Sequence, residues 1–219
     1  MKNLGGNMMN KIDYKKMNKD LYQPKKPCLI EVPIMNYAVV EGHGDPNQSP
    51  DFQEAISLLY SLSYTIKMDK EKPDGYFDFV VPHLEGLWWL ADENFDGLNI
   101  NDKNNFHWLL MIRIPEFVDV SVFDSAKEKL KAKKPDLSIE KLYFRTIDEG
   151  LCVQTMHKGS FDLERQTILE MKDYMKQQGY EEDFYGDRMH HEIYLSDFRR
   201  TKTENLKTVI RHLVKKALD

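Results

Sequence analysis

Residues 188–197, RMHHEIYLSD, contain the pattern that decides the fold, because two histidines and a glutamate lead into alternating apolar positions. Side chains of a β-strand point alternately to its two faces. His190, Glu192 and Tyr194 therefore share one face, and His191 lies with apolar neighbours on the other. The pattern predicts a strand with one face in the core, where His191 is a packing residue. Its other face presents an imidazole, a carboxylate and a phenol.

The polar face of this strand permits three interpretations: a solvent-facing surface, groups for general acid–base catalysis in a cleft, or part of a metal site. Zinc deaminases add C-x-x-C to H-x-E and zinc proteases use H-E-x-x-H, and the sequence contains neither C-x-x-C nor H-E-x-x-H. A third ligand beside His190 and Glu192 would have to come from a distant histidine. No spacing selects one of His43, His83, His107 and His157. The sequence therefore predicts no metal and no cofactor.

The H-x-E pattern occurs twice, as His83-Leu84-Glu85 and as His190-His191-Glu192. Each copy follows a pattern typical of a helix, and each helix follows a predicted strand, so the order strand, helix, strand, strand is repeated. This repetition predicts an α+β fold of two tandem modules, about 28–120 and about 140–219, related by a pseudo-two-fold axis. A ligand cleft is expected between them, where small-molecule sites often lie. Coincidence between two short patterns is the alternative.

The two ends of the chain carry weaker signals. Residues 1–27 contain scattered lysines and end in Pro24-Lys25-Lys26-Pro27, which predicts a weakly structured leader before a domain of residues 28–219. Near the other end, residues 204–218 fit either a final strand or a terminal helix. An amphipathic helix is expected over residues 121–134.

The composition indicates a soluble globular protein, with 41% hydrophobic and 31% charged residues and a net charge of −5. A nucleic-acid-binding protein usually carries a basic patch and a high pI, and this pI is about 5.8. No apolar run is long enough for a transmembrane helix. Cys28 and Cys152 are too far apart for a metal or redox motif. The sequence thus predicts a cytoplasmic protein with no direct nucleic-acid or membrane partner.

The stretch LEGLWW, residues 84–89, combines two tryptophans with a glycine in a predicted strand. Alternation places Trp88 and Trp89 on opposite faces, with Glu85 on the same face as Trp89. One tryptophan is expected in the core, and the other can form a stacking wall for a flat or cationic ligand. Gly86 indicates a bulge or a close approach by a ligand.

Four segments together resemble the GyrI-like small-molecule-binding family, in its standalone branch: GHGDPN, LEGLWW, EGLCVQTMHKGSFDLE and HHEIYLSD…RRTKTENLKTVIR. The similarity extends from about Pro27 to the C-terminus, and it implies the same two-module fold with a ligand cleft between the modules. Relatives fused to DNA-binding domains sense bulky cationic or aromatic drugs through a buried glutamate, and Glu192 occupies the matching place. The sequence departs from the family pattern at Phe198, where a proline is expected, and in RHLVKK near the end.

The resemblance implies three possible functions. Some standalone members hydrolyse the cyclopropane ring of DNA-alkylating natural products, which makes a cofactor-free detoxifying hydrolase the preferred hypothesis. The alternative is a non-catalytic binder of flat, lipophilic or cationic small molecules, with a small-molecule ligand as partner in both cases. The third is an inhibitor of a protein partner such as gyrase, which rests on family analogy alone.

The expected site residues follow from the hydrolase hypothesis. Glu192 is predicted to be a general base that activates water, and Tyr143 or Tyr194 to donate to the oxygen on which negative charge develops. The remaining predicted residues contact the ligand: Trp88, Trp89, Tyr60, Phe144, Glu85 and His190.

Overall fold

One antiparallel sheet with helices packed on it forms the fold of the computed structural model, which describes residues 11–90, 95, 97–98, 103–184 and 189–218. The strands in these residues are β1 (Cys28–Val32), β2 (Met35–His43), β3 (Leu84–Leu90), β4 (Phe106–Arg113), β5 (Tyr143–Ile147), β6 (Gly150–Lys158), β7 (Tyr180–Glu182), β8 (His190–Tyr194) and β9 (Lys207–Lys216). The α-helices are α1 (Tyr14–Met17), α2 (Lys19–Tyr22), α3 (Pro50–Met68), α4 (Val120–Lys133) and α5 (Glu164–Gln177). None of the helices in these residues is long and apolar enough to cross a membrane.

The strand order is β1-β6-β9-β8-β3-β4-β2-β5, and the short β7 pairs with β9. From the central β8–β3 pair outward, one side continues with β9, β6 and β1 and the other with β4, β2 and β5, so corresponding strands follow in the same order on both sides. The predicted α+β class is confirmed. The matching strand order of the two halves describes only their connectivity. Their origin by internal duplication stays a prediction.

The outermost strands are exchanged between the two halves. β1 precedes β2 in the chain but pairs with β6, and β5 precedes β6 but pairs with β2. The sequence pattern predicted neither pairing and did not predict β5 or β7. It did resolve the interruption between β1 and β2 at Pro33, which lies between the two strands.

The long helix α3 begins and packs as its sequence dictates. Ser49 caps it by accepting a hydrogen bond from the backbone N–H of Phe52, and Pro50 occupies the first helical position. Its buried stripe packs with β2, β3 and β4 in one core cluster, which is also joined by Tyr194 of β8. Helix α5 packs on Val153 and Ile210 of the other half. Because Ile210 lies opposite Glu192 in the β8–β9 register, both helices cover the sheet face that carries Glu192.

The opposite face of the sheet is covered by the segment before β1. Tyr14, Leu21 and Tyr22 are buried against it, and Ile12 forms a parallel bridge with Phe79. The prediction of a weakly structured leader is therefore wrong for residues 11–27. The lysines that suggested a solvated tail point outward, while apolar side chains between them supply the second layer of the core.

The structure fixes the bounds of one further predicted strand and the secondary structure of the last segment. The predicted second strand, residues 76–90, is a strand only from Leu84 onward. Residues 207–216 form strand β9, which decides between the strand and helix alternatives for the last segment.

Candidate functional site

A cavity of about 420 Å³ lies over the two central strands, between the first turns of α3 and α5. Trp88 of β3 and His190, Glu192 and Tyr194 of β8 form its floor. Aromatic rings form much of its wall, namely Phe52, Phe95, Phe106, Phe161 and Phe198. The size and the mostly aromatic lining are typical of a site for a small, flat organic molecule.

Register explains why these side chains meet. Trp88 lies directly opposite His190, and Gly86 lies directly opposite Glu192. A Cβ atom at Gly86 would lie 2.9 Å from Trp88 Nε1 and 3.1 Å from Tyr194 Oη. The glycine therefore makes room for these two side chains, where the sequence suggested a bulge or a close approach by a ligand.

Tyr194 is held between a donor and an acceptor. The indole Nε1–H of Trp88 donates to Tyr194 Oη at 3.0 Å, so the Tyr194 hydroxyl proton is left for the carboxylate of Glu192. Burial and the charge of Glu192 raise the pKa of Tyr194 well above its ordinary value. Tyr194 is thus a neutral phenol that orients Glu192.

A second carboxyl group, Glu164, adjoins Glu192 in the cavity. It is the first residue of α5 and is buried, and its hydrogen bond joins it to Glu192. Burial and then the negative charge of Glu192 raise the pKa of Glu164 well above its ordinary value. Oε1 of Glu164 has no hydrogen-bond partner among the described residues. Sequence reasoning missed Glu164, because a glutamate in a first helical turn normally faces solvent.

His190 connects Glu192 to a chain of buried groups. Its Nε2 lies 3.1 Å from Glu192 Oε1 and its Nδ1 lies 2.7 Å from His212 Nε2. His212 Nδ1 is 2.8 Å from Glu182 Oε1, and Glu182 is also paired with Lys172 at 2.8 Å. Burial lowers the pKa of His212 to about 4, although Glu182 acts in the opposite direction. His212 is therefore neutral at physiological pH.

Five residues of the predicted site lie outside this cavity. Trp89 and Glu85 lie on the other face of β3, where Trp89 stacks on His107 with ring centroids 5.6 Å apart. Tyr143 and Phe144 belong to β5, the strand at the edge of the sheet. Tyr143 donates to Glu41 at 2.9 Å, and Phe144 packs on Phe123.

The fifth residue, Tyr60 of α3, packs against the main core cluster and lies beneath the guanidinium group of Arg199 at 5.7 Å. Alternation correctly predicted that the two adjacent tryptophans lie on opposite faces, and only Trp88 faces the cavity. It could not give the distance of β5 or of the middle of α3 from β8, which is why Tyr143, Phe144 and Tyr60 lie outside the cavity.

The other face of the β3–β8 pair holds a buried ionic cluster. His191 lies 2.8 Å from Glu149 and 3.0 Å from Glu85, and Arg211 pairs with Glu149 at 2.9 Å. Burial alone would lower the pKa of His191, but the two carboxylates outweigh it and raise the pKa to about 9. His191, which was predicted only to be a packing residue, is therefore a buried imidazolium ion. This cluster lies on the sheet face opposite the aromatic cavity, and none of its four side chains lines that cavity.

An aromatic cavity with two carboxyl groups over a central strand pair defines a small-molecule-binding domain. The comparisons agree: residues 25–215 match the model of the GyrI-like small molecule binding domain, and the chain belongs to the GyrI-like family. No curated protein sequence matched the chain.

Solved structures extend this result. An uncharacterized conserved protein from Listeria innocua is 42% identical, with a TM-score of 0.87, covering 94% of this chain and 100% of its own. A hydrolase from the same organism is 41% identical, with a TM-score of 0.84 and the same coverage. The C-terminal domain of EcmrR shares the fold at 15% identity and a TM-score of 0.51, covering 88% of this chain and 98% of its own.

Proposed function

We propose that this protein binds flat, lipophilic small molecules in the cavity over β3 and β8 and hydrolyses electrophilic cyclopropane-bearing genotoxins. The observation that carries the proposal is the position of Glu192. Its carboxylate lies at the floor of an aromatic cavity, oriented by Tyr194 and beside His190 and the buried Glu164. The similar Listeria innocua protein described as a hydrolase supports a catalytic function.

The reaction needs one proton transfer at each end of the substrate. Glu192 removes a proton from a water molecule as the water oxygen bonds to a ring methylene, and the strained carbon–carbon bond breaks. The released electron pair moves to a conjugated carbonyl oxygen of the substrate. Once Glu192 holds the proton, Tyr194 no longer has an anionic acceptor, and its hydroxyl donates a hydrogen bond to that oxygen. The oxygen then takes up a proton from solvent and Glu192 releases its proton to solvent, so that one water molecule has been added to the substrate.

The aromatic wall supplies the positioning that this reaction requires. Trp88 and the phenylalanines of the wall present apolar ring surface to a flat molecule. Holding the water and the ring carbon in contact contributes more than acid–base groups alone. Destruction of such a compound would protect the cell's DNA.

Turnover of a cyclopropane-bearing DNA alkylator tests the proposal. The compound is mixed with a substoichiometric amount of protein, and its intact mass and its mass plus water are followed. We expect many turnovers per chain for the wild type and a loss of at least 100-fold for Glu192→Gln, in the range of a general base. Glu31→Gln, an exposed glutamate of β1, is the matched control and should keep the wild-type rate.

An unchanged compound, or turnover that survives in Glu192→Gln, would contradict the hydrolase. The same cavity also supports a second function, binding without turnover, because its aromatic lining and carboxylates suit a lipophilic cation as well. In that case, the compound should quench tryptophan fluorescence with a stoichiometry of one. Trp88→Phe should reduce the quench more than Trp89→Phe, since only Trp88 lines the cavity.

A further inference from the structure

Three cavity side chains, Glu164, His190 and Glu192, bring acceptor atoms together. One ligand atom of each lies within 4.8 Å of the other two. Three such atoms at this spacing can coordinate one cation between them. The three side chains come from β8 and from the first turn of α5, both of which are fixed by the core.

The tautomer of His190 is set by the residues behind it. The Glu182 carboxylate can only accept, so the Nδ1–H of His212 donates to it. His212 Nε2 is then an acceptor, and it receives the Nδ1–H of His190. In the neutral imidazole, the lone pair of His190 Nε2 then faces Glu192, 3.1 Å away.

This arrangement is what metal-binding histidines show. A ligating imidazole usually donates its other ring N–H to a fixed acceptor, which orients the ring and raises its basicity. His212 and Glu182 provide that support from β9 and β7. They are positioning residues, since neither lines the cavity.

Glu164 provides an independent observation. Its side chain is buried and lines the cavity, and its Oε1 has no hydrogen-bond partner among the described residues. A buried carboxyl oxygen without a partner is costly, and a cation would satisfy it. Glu164 thus supplies a third ligand beside His190 and Glu192, for which no spacing in the sequence selects a distant histidine.

We propose that Glu164, His190 and Glu192 bind one divalent transition-metal cation of the zinc class. One imidazole and two carboxylates suit Zn²⁺ better than Mg²⁺ or Ca²⁺, which prefer oxygen ligands alone. Three protein ligands leave one position of a tetrahedral ion open, and that position faces the cavity. Tyr194, Asp162, Lys103 and Arg199 line the same cavity and form the charged and polar surroundings of the ion.

The cation site goes beyond the proposed hydrolase and is tested separately from it. Glu192 is both the general base of the proposed hydrolase and a ligand of the proposed cation site. A bound Zn²⁺ would therefore occupy the carboxylate that has to accept a proton from water. We therefore expect added Zn²⁺ to inhibit turnover and a chelator to restore it. Direct binding of the metal can succeed or fail whether or not the protein hydrolyses any compound.

The experiment is titration of chelator-treated full-length protein with Zn²⁺ alone in a calorimeter, repeated with Mg²⁺. We expect one Zn²⁺ per chain and at least tenfold weaker binding of Mg²⁺. Glu164→Gln and His190→Asn should each weaken Zn²⁺ binding at least tenfold. Glu164→Gln keeps the size and shape of the side chain, and far-UV circular dichroism checks that both variants fold.

A control variant addresses the other histidines that could attract zinc. His43 and His107 lie beside Trp89 on the sheet face opposite the cavity, with ring centroids 6.1 Å apart. His43→Asn should bind Zn²⁺ as the wild type does. Loss of binding in His43→Asn with binding retained in Glu164→Gln, or no Zn²⁺ binding by the wild type, would overturn the proposal.

Discussion

At the residue scale, His191 shows how one position acquires a charge that its neighbours in sequence do not reveal. It is fully buried, and both ring nitrogens face carboxylates, Glu149 from the β5–β6 loop and Glu85 from β3. The pKa of His191 is about 9, and that of Glu149 is about 2 because His191 and Arg211 outweigh the opposing effect of its burial. The cluster thus carries compensating charges in the core.

The stability of the protein should therefore fall as the solution becomes alkaline. The folded pKa of His191, about 9, lies above its unfolded value of 6.5, so its contribution is complete below pH 6.5 and is lost as the pH rises through 9. The shift corresponds to at most about 3 kcal/mol. Glu149 acts at the other end, since its contribution is complete above pH 4.5 and is lost as the pH falls towards 2.

Urea unfolding at pH 6 and pH 9 measures this loss. His191→Gln, which cannot ionise, should be less stable than the wild type at pH 6 and should change less between the two pH values. Equal stability of the wild type at both pH values would contradict an ionised His191.

At the residue scale, some members of the site could be predicted from the sequence and others could not. Strand alternation alone placed His190, Glu192 and Tyr194 on one face and separated Trp88 from Trp89. It could not identify Glu164 or His212, because these meet His190 and Glu192 through packing of α5 and pairing of β9. Contacts between elements distant in sequence depend on register and packing, which local periodicity does not contain.

At the scale of elements, the segment of α1 and α2 completes the core on the face opposite the cavity. The backbone carbonyl of Leu21 accepts from the guanidinium of Arg211 at 3.0 Å, and that of Asp20 accepts from Gln154 at 2.5 Å. The segment thereby satisfies buried donors around the ionic cluster. Composition suggested a solvated tail, because lysines are scattered through the segment and only three of its side chains, Tyr14, Leu21 and Tyr22, are buried.

Truncation of one side chain in α2 should destabilise the whole domain. Leu21→Ala removes a side chain that is 5% exposed, and we expect a loss of about 2–5 kcal/mol in the free energy of unfolding. Lys19→Ala changes an exposed position of the same helix and should stay within about 0.5 kcal/mol of the wild type. Urea denaturation of both variants makes the comparison, and equal midpoints would show that the segment is not part of the cooperative unit.

At the scale of the whole molecule, the exchanged outer strands tie the two halves together. The edge of β2 pairs with β5, and the edge of β6 pairs with β1. Each half therefore contributes one strand that pairs with the other half. The central β3–β8 pair would also be broken by separating them. Local signals predicted most strands of each half, but the exchange itself depends on long-range pairing and was not predicted.

Fragments of the chain should therefore fail to fold alone and should recover structure when mixed. We expect fragments 1–134 and 135–219 each to lack a cooperative thermal transition by circular dichroism, because each leaves unpaired strand edges. An equimolar mixture of the two fragments should show a cooperative thermal transition again. A full chain cut at a protease site inserted in the exposed residues 134–136 serves as the control, and it should stay assembled. Cooperative unfolding of either fragment alone would contradict the prediction.

The strand exchange also bears on how such genes can recombine. A crossover between two related genes at the codons for residues 134–142 would join a first half to a foreign second half, and β1 and β5 would each have to pair with a strand from the other parent. Compatible edges would then be needed at both sides of the sheet as well as at the centre. Chimeras of this kind are expected to survive only between close relatives, so the two halves are inherited as a single unit.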